Sequence, residues 1–204
     1  MFKRTRLWAV ALAIFLAVGG LAALARAQDE LPAWMQIELV DAMTGERFTL
    51  ADLLGKTILV EPMATWCSNC RRQMTETTKL IKQLEEDEDE RLEQFVFLSL
   101  SIETNLKPED LKTYAERNGF ASTFAVMSEE MLRALVAEFG RSVANPPSSP
   151  SFIIRADGTF TAIKTGIETA ETILAELEAE FVEVEAVGTA EPTAEVAWTP
   201  TPRK

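Results

Sequence analysis

Two cysteines stand in the 204-residue chain, Cys67 and Cys70, with Ser68 and Asn69 between them and Trp66 just before. Thiols at this spacing at the start of a helix can close a small disulfide ring. The first sulfur then lies at the helix N-terminus, where backbone N–H groups and the macrodipole favour a thiolate. A thiolate is the attacking species in disulfide exchange, and a second thiol nearby resolves the mixed disulfide. This reading makes Cys67 the nucleophile and Cys70 the resolving thiol, with Trp66 covering one side and limiting solvent. A zinc site would need two further Cys or His ligands, and the chain has no histidine and no third cysteine. A purely structural bridge closing so short a loop constrains the unfolded chain little.

The lack of histidine also removes Ser-His-Asp triads, Cys-His nucleophiles and most copper sites. The formal net charge is −12, and the basic residues Lys3, Arg4, Arg6 and Arg26 all precede position 28. So acidic a body argues against nucleic acid, whose phosphates need a basic face. No cofactor is expected beyond the Cys67–Cys70 couple.

The elements that must hold the cysteines can be read from the apolar pattern. Thr57–Val60 is a short continuous apolar run, as in a buried central strand. Arg71–Glu86 has helical spacing, and the six acids Glu85–Glu90 read as a solvated helix end and loop. Gln94–Ser101 is a second buried strand. Pro108–Asn118 is a helix with Pro108 near its start and Gly119 past its end. Thr123–Met127 is strand-like, and Ser128 caps a helix over Glu129–Phe139. Pro146–Pro150 is a rigid turn, Ser151–Ile154 a strand, Ala156–Gly158 a hairpin turn and Thr159–Thr165 its partner. Thr169–Val184 is a last helix. Near the start, Met35–Val40 alternates like a half-buried strand. Strands alternating with helices, then a closing hairpin and helix, predict an α/β domain with a central mixed sheet flanked by helices.

Two end segments differ. A basic start, an uncharged run from Leu7 to Ala25, and Ala25-Arg26-Ala27 have the layout of a signal peptide. The apolar run is also close to the ~20 residues that span a bilayer. Residues 1–27 are thus expected to be a cleaved signal or an uncleaved anchor, and either would export the remainder of the chain. Residues 28–185 form the domain. Residues 186–204, rich in Pro and Thr without periodicity, are expected to be a disordered tail.

The stretch TLADLLGKTILVEPMATWCSNC resembles the thioredoxin superfamily, in particular its exported TlpA/ResA-type, redoxin-like thiol–disulfide oxidoreductases. Supporting pieces are Asp52, Leu53, Gly55 and Lys56, then Ala64-Thr65-Trp66-Cys67, the insertion NLKPEDLKTYAERNGF, and SPSFIIRADG. The resemblance implies a thioredoxin-like fold with an αβ insertion before the cis-proline strand. It assigns the cis-proline facing the cysteines to Pro150, where the backbone of the preceding residue would pair with a client; Pro146 and Pro147 are read as loop rigidity. It also implies a buried carboxylate six residues before the first cysteine, a place held by Glu61, which would shuttle a proton to or from Cys70. The chain departs from the pattern at Gln73 and Thr75, where Glu and Pro are common, and at Pro62-Met63, where a bulge is expected.

Four functions compete. A reductase would reduce disulfides in exported proteins, cytochrome c maturation among them, drawing electrons from a membrane partner. An oxidase or isomerase would make or reshuffle disulfides. The uncharged Ser68-Asn69 pair leans toward the reductant. A peroxiredoxin-type peroxidase has Thr65 two residues before Cys67 in its favour, but Trp66 and Cys70 fit exchange better. A binding module with vestigial cysteines is the non-enzymatic alternative.

Overall fold

The computed structural model describes residues 31–181. The expected N-terminal signal or anchor and the expected C-terminal tail lie outside them. The described residues from Ala33 to Phe181 belong to one unit.

The centre is built from two strands whose every residue is buried, β3 (Thr57–Met63) and β4 (Phe95–Ser101). They pair in parallel from Thr57–Phe95 to Met63–Ser101. The parallel pairing requires a crossover, supplied by helix α1 (Ser68–Glu86). A second crossover, α2 (Pro108–Asn118), leads to β5 (Thr123–Val126), which pairs in parallel with β4. These two elements are the expected αβ insertion, and they extend the sheet at its edge. Helix α3 (Glu129–Phe139) comes next, then β6 (Pro150–Ile154) antiparallel to β3, the short β7 (Lys164–Thr165) and helix α4 (Ala170–Glu180). The sheet order is β5-β4-β3-β6-β7, mixed as expected. A separate small ribbon pairs β1 (Leu39–Val40) with β2 (Arg47–Phe48). Among the described residues no helix is long and apolar enough to cross a membrane.

Local signals account for the helix ends. Ser128 Oγ accepts from Met131 N–H at 3.1 Å, Pro108 occupies the first turn of α2, and Gly119 closes that helix at φ 66°. Thr169 caps α4, which is shorter than expected: Phe181 already leaves the helix.

Helix α1 buries Cys70, Gln73, Met74, Thr77, Thr78, Leu80, Ile81 and Leu84, a stripe at helical spacing. Its ends sit in different surroundings. Leu80, Ile81 and Leu84 pack with Leu59, Phe97, Ile153 and α4 residues Ile173 and Leu177. Cys70 and Met74 pack with Met63, Ala64, Leu111, Phe120 and Phe124. Gln73 and Thr77 fall between these clusters and make the middle of the stripe polar.

Three local expectations are corrected. Residues 35–40 are not a full strand: Ala33–Gln36 is a 3₁₀ turn that buries both Trp34 and Met35. Trp34 makes edge contacts with Phe139, Phe152 and Phe160, and that aromatic packing overrides the alternation. The partner of β6 is not continuous over residues 159–165. Ile154 bridges Phe160, whereas Ser151 pairs with Lys164, so the second strand holds one extra residue in between. Thr161 Oγ1 there accepts the Ile153 N–H at 3.0 Å. Finally, Pro62 causes no bulge. The Met63 carbonyl points to β4 and accepts from Ile102, so by alternation Pro62 faces the β6 side, where pairing has already ended at Val60–Phe152. No ladder donor is missed.

Candidate functional site

Strand β3 ends at Met63, and Ala64–Cys67 makes a turn in which Cys67 N–H donates to the Ala64 carbonyl at 3.0 Å. Cys67 is the N-cap of α1: its Sγ accepts from Cys70 N–H at 3.0 Å. That N–H has no partner within the helix, and with the positive end of the dipole it stabilises charge on the Cys67 sulfur in the reduced protein. Cys67 and Cys70 are joined as a disulfide. Both residues are buried, at 2% and 3% exposure.

Trp66 stands at 61% exposure. It lies mostly open to solvent at the tip of the turn, past the end of β3 and before the first residue of α1. The shielding comes from Met63, Ala64 and Met74 and from the proline turn. Pro146–Ser148 forms a 3₁₀ turn beside the disulfide. The Pro146 carbonyl lies 3.2 Å from Cys70 Sγ, placed to accept from that thiol once the bridge is reduced. The Pro147 carbonyl accepts from Asn69 Nδ2 at 2.8 Å. These two prolines do more than stiffen a loop. Their carbonyls hold Asn69 and Cys70, the last two positions of the Cys67–Cys70 segment, a role that residue type alone does not announce.

Behind the disulfide lies Glu61, on the same strand face as Met63 and only 3% exposed. Thr77 Oγ1 donates to its Oε1 at 2.8 Å. Its Oε2 has no hydrogen-bond partner. Burial pushes the Glu61 carboxyl up to about 7; the Thr77 hydroxyl and the neighbouring Gln73 side chain act against that rise, and the charge of Glu168 adds to it. Glu61, Cys70, Gln73, Ser149 and Pro150 line one small cavity of about 10 Å³, on the order of the room one water needs. Ser149 Oγ is a second buried atom in its wall without a partner. The cavity thus joins a carboxyl pushed up to about 7 to the sulfur of Cys70.

The turn before Cys67 is held from the other side. Glu103, two residues past β4, accepts the Thr65 N–H on Oε2 at 2.6 Å and the Thr65 hydroxyl on Oε1 at 3.1 Å. Nothing in the local sequence signals this contact, since 38 positions separate the partners.

No protein-family model and no curated protein matches the sequence. Solved structures do. A thiol:disulfide interchange protein of the thioredoxin family from Chlorobium tepidum superposes over 71% of this chain and 92% of its own, with TM-score 0.54 and 21% identity. The chain has the thioredoxin fold. A SCO1/SenC family lipoprotein from Bacillus anthracis matches over 71% and 92%, at TM-score 0.52 and 20% identity. A secreted Mycobacterium tuberculosis disulfide oxidoreductase matches over 72% and 98%, at TM-score 0.51 and 14% identity.

Within this thioredoxin fold, one expected feature differs. No cis peptide bond occurs among the described residues, so Ser149–Pro150 is trans. Ser149 itself reverses the chain, at φ 47° and ψ 65°, and its N–H closes the turn on the Pro146 carbonyl at 2.7 Å. That left-handed residue delivers Pro150 to the start of β6 without a cis bond. Of the Ser149 backbone expected to pair with a client strand, the N–H is engaged by the Pro146 carbonyl. Pro150 still lines the cavity beside Cys70.

Proposed function

We propose that this chain carries out thiol–disulfide exchange through Cys67 and Cys70, outside the cytoplasmic membrane, as a reductant of disulfides in exported proteins. The observation that carries the proposal is the Cys67–Cys70 disulfide at the cap of α1 with Glu61 on the cavity behind it.

In the reduced protein the Cys67 thiolate attacks one sulfur of a client disulfide. The client S–S bond breaks, a Cys67–client disulfide forms, and the released client thiolate takes a proton from water. The Cys70 thiol then loses its proton to Glu61 through the cavity and attacks Cys67 Sγ. The Cys67–client bond breaks, and the second client sulfur leaves as a thiolate that is protonated in turn. The client gains two electrons and two protons, and Cys67 and Cys70 end joined as a disulfide. A dithiol donor must return the two electrons, and a membrane electron-transfer partner fits the uncharged N-terminal run. Exposed Trp66 gives clients an apolar contact beside the sulfurs.

The test is the reduction potential of the Cys67–Cys70 couple, by equilibration against a dithiol buffer. A value near or below about −270 mV supports a reductant, whereas a value near about −120 mV makes the protein an oxidant of client thiols.

A further inference from the structure

Glu103 is an acid placed on the one backbone turn that carries the attacking sulfur. Its carboxylate grips Thr65 twice, at the backbone N–H and at the hydroxyl. Its own N–H donates to Ser101 Oγ at 3.2 Å, and the Leu106 N–H closes a turn on its carbonyl at 2.7 Å, so the residue is fixed at both ends. Thr65 and Trp66 are the two central residues of the turn closed by Cys67 N–H on Ala64. The helix cap favours a negative Cys67 sulfur, while an acid held beside the same turn opposes it. Other charged or titratable groups near this corner are Glu61 of β3, behind the disulfide; Arg71, one position past Cys70, whose positive charge acts against that of Glu103; and Tyr114 of α2, whose phenol is pushed up by burial and held down by Arg71, with Glu103 adding to the rise.

We propose that Glu103 is the positioning residue of the attacking thiol: it fixes the Thr65–Trp66 turn that brings Cys67 to its helix cap, and its carboxylate holds back the Cys67 thiolate. A thiol held back in this way favours the bridged form of the couple, which is the direction a reductant needs. The inference rests on Cys67 being the attacking sulfur.

The experiment tracks the rate of Cys67 alkylation against pH in the full-length reduced chain, together with the potential of the couple. Glu103→Gln keeps an acceptor for the Thr65 N–H and removes the charge. It should move the alkylation midpoint down by about half to one pH unit and make the couple more oxidising. Thr65→Val, which deletes only the hydroxyl contact, should leave the midpoint in place. Glu85→Gln, an exposed acid at the far end of α1, is the control for net charge and should also leave it in place. Glu103→Ala should add a loss of exchange rate toward a small disulfide, because the turn is released. An unchanged midpoint in Glu103→Gln overturns the inference, as does an equal shift in Glu85→Gln. A wild-type chain that alkylates at Cys67 but exchanges no disulfide removes the exchange reading instead, and so separates the two failures.

Discussion

Glu61 stands six residues before Cys67 in sequence, and in space it shares a cavity of about 10 Å³ with Cys70. The carboxyl is buried, has one oxygen without a partner, and is pushed up to about 7 by desolvation. A group in that state gives up or takes a proton at neutral pH beside the sulfur that must lose one.

Replacing it should therefore be felt in the resolving step. Glu61→Gln should slow release of the client from the mixed disulfide by about 10²-fold or more and erase an inflection near pH 7 in the exchange rate. Stopped-flow exchange across pH 5–9 measures both. An unaltered pH profile in the variant would remove Glu61 from the proton path.

Stability carries the same signature. A carboxyl at about 7 when folded and 4.5 in its ordinary state keeps its proton in the folded chain while the unfolded chain releases one. The unfolded state then binds fewer protons, so stability falls as pH rises. Its contribution is full below about pH 4.5 and is lost by about pH 7, a change of about 3 kcal/mol. Denaturant melts of the oxidised protein should show that fall, and Glu61→Gln should flatten it.

Thr77→Val removes the donor to Glu61 Oε1. Because that hydrogen bond stabilises the charged carboxylate, its loss should raise the Glu61 midpoint further. The pH inflection of exchange would then move up, together with a stability loss of about 1 kcal/mol. A downward move would contradict the assignment of Thr77 as donor to the charged form.

Cys70→Ser should accumulate a Cys67–client disulfide, and Cys67→Ser should form none. Non-reducing gels of material captured from an exported fraction distinguish the two. Trapping through Cys70 in the Cys67→Ser protein would reverse the roles.

Trp66 is 61% exposed and lies outside the core clusters. Trp66→Ala should change stability by less than about 0.5 kcal/mol while weakening exchange with protein clients more than with a small disulfide. Equal loss for both substrates would mean that Trp66 supports the turn instead of the client.

Much was legible in the chain itself. Runs with a strong local signal match the structure because their burial is decided locally: β4 is a continuous apolar run, α2 lies between Pro108 and Gly119, and α3 starts at the Ser128 cap. The Cys67-Cys70 spacing at a strand-to-helix junction likewise contains its own geometry. Met35–Val40 misled because Trp34 finds its partners, Phe139, Phe152 and Phe160, more than a hundred positions away, and no local pattern records them.

By itself the sequence determined the sheet's central strands, the helix that Cys67 caps and the pairing of the two sulfurs, since each depends on residues within one turn or one strand of each other. Glu61 and Pro150 were expected beside those sulfurs, but the contacts that hold them were decided by the tertiary structure alone. It set Pro146 against Cys70, Glu103 against Thr65 and Thr77 against Glu61, and it made the Ser149–Pro150 bond trans by turning the chain at Ser149. These are contacts between groups that meet only after the sheet is assembled, where burial, not residue type, sets the charge on a carboxyl and the reach of a carbonyl.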